Sequence, residues 1–387
     1  MRQTLSRAVY EKIQSRVRDG MRKAGVDALI VEGDFDVAYL TGFFHSANER
    51  PCAVYMTLDE TYMLVPALEA DNAARQKALA TFVVYDEFPG VEDAFSILLR
   101  RLAPRGTCAY SPETPAGRVA KFKSYAPAAE WIMADIVGDA RLIKLPEEIA
   151  LHREAARISD LMVLSGIELI REALAKGSPL PSESELATHV KAVGVRTMFA
   201  EHADIVIGKS MSGGLVYTGE NSSYPHGLPS GQRLAHGDTF ILSLGCAVGG
   251  RFAESERTFV LGEPSAQQRD YYDVAMRSQQ IGSDALTVGT PCEAANRICL
   301  DVIRDAGMGK FIRHRQGHGI GVWLHEAPWI SDGDSTPLAA GMVVSSEPGI
   351  YVPGHAGYRI SDTILITDAG PERLTTYPRD LASCTIL

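Results

Sequence analysis

The chain has no long apolar run, no basic excess and no paired cysteines, and each absence removes a class of function. Nowhere do about 18 apolar residues follow one another, as a membrane-crossing helix requires. The opening MRQTLSRAVYEKIQSRVRDG is too charged to contain a signal-peptide core. A cytoplasmic location is therefore expected, with no membrane partner. The net charge of -10 argues against a nucleic-acid or anionic-lipid surface, which needs clustered Lys and Arg. Cys52, Cys108, Cys246, Cys292, Cys299 and Cys384 lie far apart with no C-x-x-C pair, so neither a zinc knuckle nor a disulfide framework is expected. Reduced, mostly buried thiols follow. Low-complexity tracts, acidic tails and solenoid-period repeats are also missing.

What remains is an ordinary globular composition over 387 residues, with 22% charged and 45% hydrophobic positions, long enough for two domains or one large one. Residues 9 to 24 carry helical spacing. DALIV, CAVYM, YMLVP and TFVVY then read as short strands between helical or loop segments, and a second helical stretch follows near 92 to 103. This predicts a small α/β domain over 1–142. Pro146, Glu147 and Glu148 next make a strong helix start, since proline suits the first turn and acids complement the N-terminal dipole. Leu151, Ala155, Ile158, Met162 and Leu169 form one apolar stripe. A second, α+β domain is read over 143–387, with one more helical region at 268–306.

The stretch ILSLGCAVGGRFAESERTF reads as two strands around Gly249-Gly250. A two-residue hairpin turn there sets Ser243 opposite Glu256 and Gly245 opposite Glu254, with the hydroxyl and both acids on one face. Such a face is either solvated or chemical. Three histidines and another acid add to the second reading: His226 in SYPHGLPSG, His318 and His325 in RQGHGIGVWLHEAPW, and Glu347 in VVSSEPGIY.

In order and spacing, PHGLPSGQRLAHGDTFILSLG, FAESERTFVLG, GHGIGVWLHEAP, GMVVSSEPGIY and GYRISDTILIT resemble the pita-bread fold of methionine aminopeptidases, Xaa-Pro aminopeptidases (prolidases) and creatinase. IKLPEEIALHREA and YLTGFFHSANERP resemble the two-domain members. The resemblance implies a creatinase-type N-terminal domain followed by a pita-bread domain. It also implies a homodimer with a shared site, in which Arg50 reaches the partner's pocket and binds a substrate carboxylate. The same arginine could equally serve a structural ion pair.

The five metal ligands of the peptidases fall here on Ser243, Glu254, His318, Glu347 and Ser361, so two anionic ligands are replaced by neutral hydroxyls. Glu256-Arg257-Thr258 resembles creatinase, which works without metal, although Asn48 and Ser361 depart from it. The leading expectation is thus a metal-independent, cofactor-free, creatinase-like hydrolase. It would cleave a C–N bond in a small zwitterionic guanidino or cyclic amidine substrate. His226 would shuttle the proton, Glu256 and Glu347 grip the cationic group, and His318 and His325 orient the substrate. Arg50, Ser243, Glu254, Arg359 and Ser361 would complete substrate binding, with specificity set by loops near 43–50, 208–224 and 323–336. Two alternatives stand beside it. One is an Xaa-Pro dipeptidase or aminopeptidase with a reduced, mononuclear metal site on Glu254, His318 and Glu347. The other is an inactive pita-bread binding module.

Overall fold

The computed structural model describes residues 4–87, 92–202, 204–206 and 211–387. The start of the 208–224 loop, at 208–210, therefore lies outside the described residues. The chain forms two compact units, 4–141 and 142–387. Among the described residues, no helix is long and apolar enough to cross a membrane.

The first unit is built on a six-stranded mixed sheet. Its strands are β1 (Ala28–Glu32), β2 (Ala53–Thr57), β3 (Thr61–Pro66), β4 (Thr81–Tyr85), β5 (Gly106–Tyr110) and β6 (Ala129–Met133), in the order β4-β3-β2-β1-β5-β6. Helices α1 (Arg7–Ala24), α2 (Asp34–Thr41), α3 (Ala67–Arg75), α4 (Ala94–Leu102), α5 (Ala116–Tyr125) and α6 (Ile136–Leu142) alternate with them. One apolar cluster joins Ile30, Tyr55 and Leu64 of the sheet to Phe95, Leu98 and Phe122 of α4 and α5. Helix α1 stops at Gly25, whose left-handed φ of 65° costs little without a Cβ.

The second unit opens with α7 (Pro146–Lys176), which begins on the proline and acids read as a start signal and ends at left-handed Gly177. Leu151, Ala155, Ile158 and Met162 of the predicted stripe are buried. Glu148 closes the helix start by accepting from Leu145 N at 3.0 Å, and it also pairs with buried Arg251 at 2.7 Å. Helix α8 (Glu183–Glu201) follows. The helical region expected at 268–306 is two helices, α9 (Ala266–Asp284) and α10 (Cys292–Asp305). Gly289 at φ 87° and Pro291, which cannot donate a helical hydrogen bond, separate them.

The rest is a nine-stranded sheet with a small two-stranded one beside it. Strands β7 (Ser212–Thr218), β8 (Thr239–Val248), β9 (Arg251–Leu261), β10 (Gly317–Gly319), β11 (Glu326–Ile330) and β12 (Val343–Ser346) belong to the large sheet. So do β15 (Ser361–Thr367), β16 (Gly370–Arg373) and β17 (Thr385–Ile386), while β13 (Gly349–Val352) pairs with β14 (Ala356–Arg359). The main path runs β11-β10-β12-β15-β9-β8-β7. All six cysteines are buried and free.

Candidate active site

The β8–β9 hairpin sets the floor of the site. Gly249 and Gly250 have φ of 54° and 74°, so both turn positions are left-handed, as a tight two-residue turn demands. The register is the one the sequence predicts, Ser243 opposite Glu256 and Gly245 opposite Glu254. The solvated-face alternative fails, because both glutamates are buried. Strand β15 adds Ser361 opposite Glu256, and Glu347 follows β12 directly.

His318 occupies the centre of β10 between two glycines that permit a close backbone approach. A Cβ at Gly317 would lie 2.1 Å from Ser345 O, and one at Gly319 would lie 2.2 Å from Ala327 O. His318 Nδ1 meets Gly319 O at 3.0 Å, which fixes Nδ1 as the N–H and turns Nε2 inward. Nε2 is buried, 3.2 Å from Glu347 Oε1 but off the line of a hydrogen bond, and has no hydrogen-bond partner. The His325 ring sits edge-on to it at 4.0 Å between centroids.

A cavity of about 800 Å³ opens over these groups. It is lined by eight of the ten sequence candidates: His226, Ser243, Glu254, Glu256, His318, His325, Glu347 and Arg359. Ser361 lies behind Glu254 and donates to its Oε1 at 3.0 Å. Arg50 belongs to the other unit, where Glu49 and Glu87 pair with it. Sequence reasoning missed His314 and Arg315, although both stand just before the GHG motif. Tyr217 and Tyr351, which hydrogen-bond Arg359 at 2.6 and 3.3 Å, carried no motif signal.

The electrostatics follow from crowding. Burial and neighbouring Glu347 push the Glu254 carboxyl up to about 8. Burial also raises Glu256, partly offset by Arg359, whose Nε lies 2.8 Å from its Oε2. Burial opposes a charged His318, yet the carboxylates of Glu347 and Glu254 outweigh it and lift the imidazole to about 9. The same contact with His318 overcomes burial at Glu347 and holds it well below the usual carboxylate range.

A mixed-sheet α/β unit followed by an α+β unit with this carboxylate and histidine floor defines a two-domain pita-bread protein. Residues 150–368 match the model for metallopeptidase family M24, and residues 14–143 match that of the creatinase/prolidase N-terminal domain. The chain belongs to the M24 family. It is 32% identical over 326 residues to an Xaa-Pro dipeptidase of Pyrococcus furiosus, covering 84% of this chain and 86% of that protein. The prolidase structure from Pyrococcus horikoshii OT3 superposes with a TM-score of 0.82 at 26% identity, over 96% of this chain and 99% of that one. An Xaa-Pro dipeptidase from Bacillus anthracis gives 0.82 at 26% identity, over 98% and 100%.

These relatives overturn the metal-independent, creatinase-like expectation, because chains matched along nearly their whole length are named Xaa-Pro dipeptidases. The geometry supplies a physical reason. A substrate guanidinium would need both Glu256 and Glu347 free, but Glu256 is taken by Arg359 and Ser243. The Glu-Arg-Thr motif that suggested creatinase places an acid that already has its cation.

The family implies metal, so the donor set needs testing against it. Glu254 lies in two clusters of ligand atoms, one with His318 and His325 and one with Glu256 and Glu347. With no cation bound, the excess negative charge is met by protons on His318 and Glu254; were a cation to displace both, the carboxylates of Glu254, Glu256 and Glu347 against the guanidinium of Arg359 would leave two negative charges. One divalent cation balances them. Two would not fit, because Ser243 and Ser361 bring no charge and already donate their hydroxyls to Glu256 and Glu254.

Proposed function

We propose that the chain hydrolyses the peptide bond of short peptides as an Xaa-Pro-type dipeptidase, with one divalent cation held by Glu254, His318 and Glu347. The observation that carries the reading is the inward Nε2 of His318, without a hydrogen-bond partner and beside the carboxylates of Glu254 and Glu347. Likeness along the whole chain to proteins named Xaa-Pro dipeptidase supports the substrate class.

A bound divalent cation would polarise the scissile carbonyl and make a bound water nucleophilic near neutral pH. The chain's own groups do the rest. Buried Arg359 pairs with Glu256, which leaves Glu254 and Glu347 as the carboxylate donors with no Arg or Lys partner among the described residues. An imidazole can both donate and accept, which suits His226 and His325 at the cavity wall to orient the substrate and return a proton to the leaving nitrogen. A cavity near 800 Å³ is in the range that holds a small ligand.

The test is hydrolysis of Gly-Pro and Ala-Pro by full-length protein with manganese or cobalt, before and after chelation, alongside elemental analysis. The expected result is one ion per chain and turnover that chelator abolishes and metal restores. Ion-loaded protein that leaves both dipeptides intact would reject the substrate class, and two tightly bound ions would reject the one-ion site.

A further inference from the structure

His226 is exposed on a loop, 219–230, whose stretch around it is largely solvent-facing: Tyr224 keeps 57% and Leu228 77% of its surface in solvent, whereas Ser222 and Ser223 are buried. Packing holds the loop at Ser222, where Gly357 N donates to Ser222 Oγ at 2.9 Å, but the residues from Tyr224 to Leu228 have less of it. The ends of the loop converge instead on one carboxylate. Glu183, in the first turn of α8, is fully buried at 0% exposure and has no ion-pair partner among the described residues. Its Oε1 accepts from Thr218 N at 2.7 Å and Asn221 Nδ2 at 2.9 Å, where the loop begins. Its Oε2 accepts from Asn221 Nδ2 at 2.9 Å, and from Ser230 N at 2.8 Å and Ser230 Oγ at 2.7 Å, where the loop ends.

We propose that Glu183 is a positioning residue for His226, stapling both ends of the loop that presents this imidazole to the cavity. The chemistry requires an acid. Each oxygen of Glu183 faces two N–H contacts that cannot accept, so whichever oxygen an amide nitrogen replaced, its N–H groups would meet N–H groups. A buried anion satisfied only by hydrogen bonds is stable when those bonds are charge-assisted, and the N-terminal end of α8 adds favourable dipole. The backbone reinforces the staple, since Glu183 N donates to Gln232 O at 2.9 Å and Ser184 N to Ser230 O at 3.0 Å. Inside the loop, Tyr217 OH at 3.0 Å and Arg359 Nη1 at 3.2 Å both donate to Pro225 O, the residue preceding His226. With its ends stapled and Pro225 held, the loop keeps His226 beside the centre that contains Glu256 and Arg359.

The kinetic consequence rests on the dipeptidase reading, whereas the placement of the ring does not. The experiment compares Glu183→Gln, His226→Ala and the double variant in the full chain. One readout is kcat/KM for Ala-Pro, and the other is the histidine ring resonances of isotope-labelled protein. Glu183→Gln is expected to lower kcat/KM about tenfold, as loss of charge-assisted hydrogen bonds does. It should cause no further loss on top of His226→Ala, and it should shift the His226 resonances while leaving those of buried His152 in place. An equal loss in both backgrounds, or an unmoved His226 signal, overturns the proposal. If wild-type protein leaves Ala-Pro intact, the dipeptidase reading falls and the resonance shift alone decides the positioning. Should Glu183→Gln fail to fold, Ser230→Ala removes one donor from the same staple. It must then shift His226 in the same direction by less, and no shift refutes the idea.

Discussion

Arg257 sits in the motif that most suggested a special chemistry, and the structure makes it a frame. Its guanidinium is fully buried and donates to Glu256 O at 2.8 Å, Ser361 O at 2.6 Å, Asp362 Oδ1 at 2.7 Å, Tyr377 O at 2.7 Å and Pro378 O at 3.0 Å. It thereby ties the backbone of two site positions to the C-terminal segment. Substituting Arg257→Met keeps bulk but leaves Asp362 buried at 0% exposure without its main cation. Breaking a buried pair from one side costs about 3–5 kcal/mol. Arg379 and Arg373, at 3.6 and 3.7 Å from the other oxygen, and Thr375 Oγ1 at 2.8 Å soften the loss, which puts the expectation at the lower end, about 3 kcal/mol. For a unit of this size that is a fall in Tm of roughly 6–12 °C. Calorimetry of wild type, Arg257→Met, Asp362→Asn and the double variant measures it, and the double variant should cost less than the sum of the two. A single-variant loss below about 1 kcal/mol, or strict additivity, would refute the frame role.

Acid should weaken the fold through His152, which is fully buried, meets Phe252 O through Nδ1 at 2.6 Å, and lies among Lys144, Glu148 and Arg251. Burial and the Lys144 charge push its imidazole down to about 4, so the unfolded chain binds a proton at higher pH than the folded one. Its contribution is present above about pH 6.5 and lost as pH falls toward 4, about 3 kcal/mol in all. Denaturant titrations at pH 7, 5.5 and 4.5 should lose part of that slope in His152→Gln, and an unchanged slope contradicts the assignment. Gly317→Ala would press a Cβ against Ser345 O and should cost about 1–3 kcal/mol while lowering metal affinity through His318, read by thermal shift and calorimetric titration. Restoring charge with Ser243→Asp and Ser361→Glu together should raise bound manganese from one ion per chain toward two. Stoichiometry unchanged at one would show that more than the missing carboxylates limits the site.

The hairpin was readable because its signals are local: alternating apolar residues, two glycines and acids at fixed offsets. The α7 start was readable for the same reason, as proline and two acids act within one turn. The break between α9 and α10 was harder, since residues 268 to 306 keep a helical composition and only Gly289 and Pro291 mark the interruption. Eight candidate residues converge on the cavity, yet the metal-independent, creatinase-like activity expected of them is overturned by the relatives. Glu256 looked like a free acid because its cation, Arg359, arrives from β14 over a hundred positions later, and no spacing rule couples the two. Glu183 was invisible for a like reason, as a helix-start glutamate is normally solvated and capping, and its four donors come from a distant stretch of chain.

The site divides its labour by rigidity. The carboxylates and His318 stand on or immediately beside sheet strands, where backbone pairing fixes them, whereas His226 and His325 stand on loops. Loop histidines need an anchor, and beside each of them stands a buried acid. Glu183 closes the loop of His226. Glu326, next to His325, pairs with buried Lys144 at 3.0 Å and packs so closely on Gly321 that a Cβ there would lie 2.0 Å from its Oε1. Neither acid needs to touch substrate for its removal to be felt at the centre. Damage at Glu183 should therefore appear as a misplaced imidazole with the cation site left intact, whereas damage at Glu326, which pairs with Gly319 beside His318, should reach both.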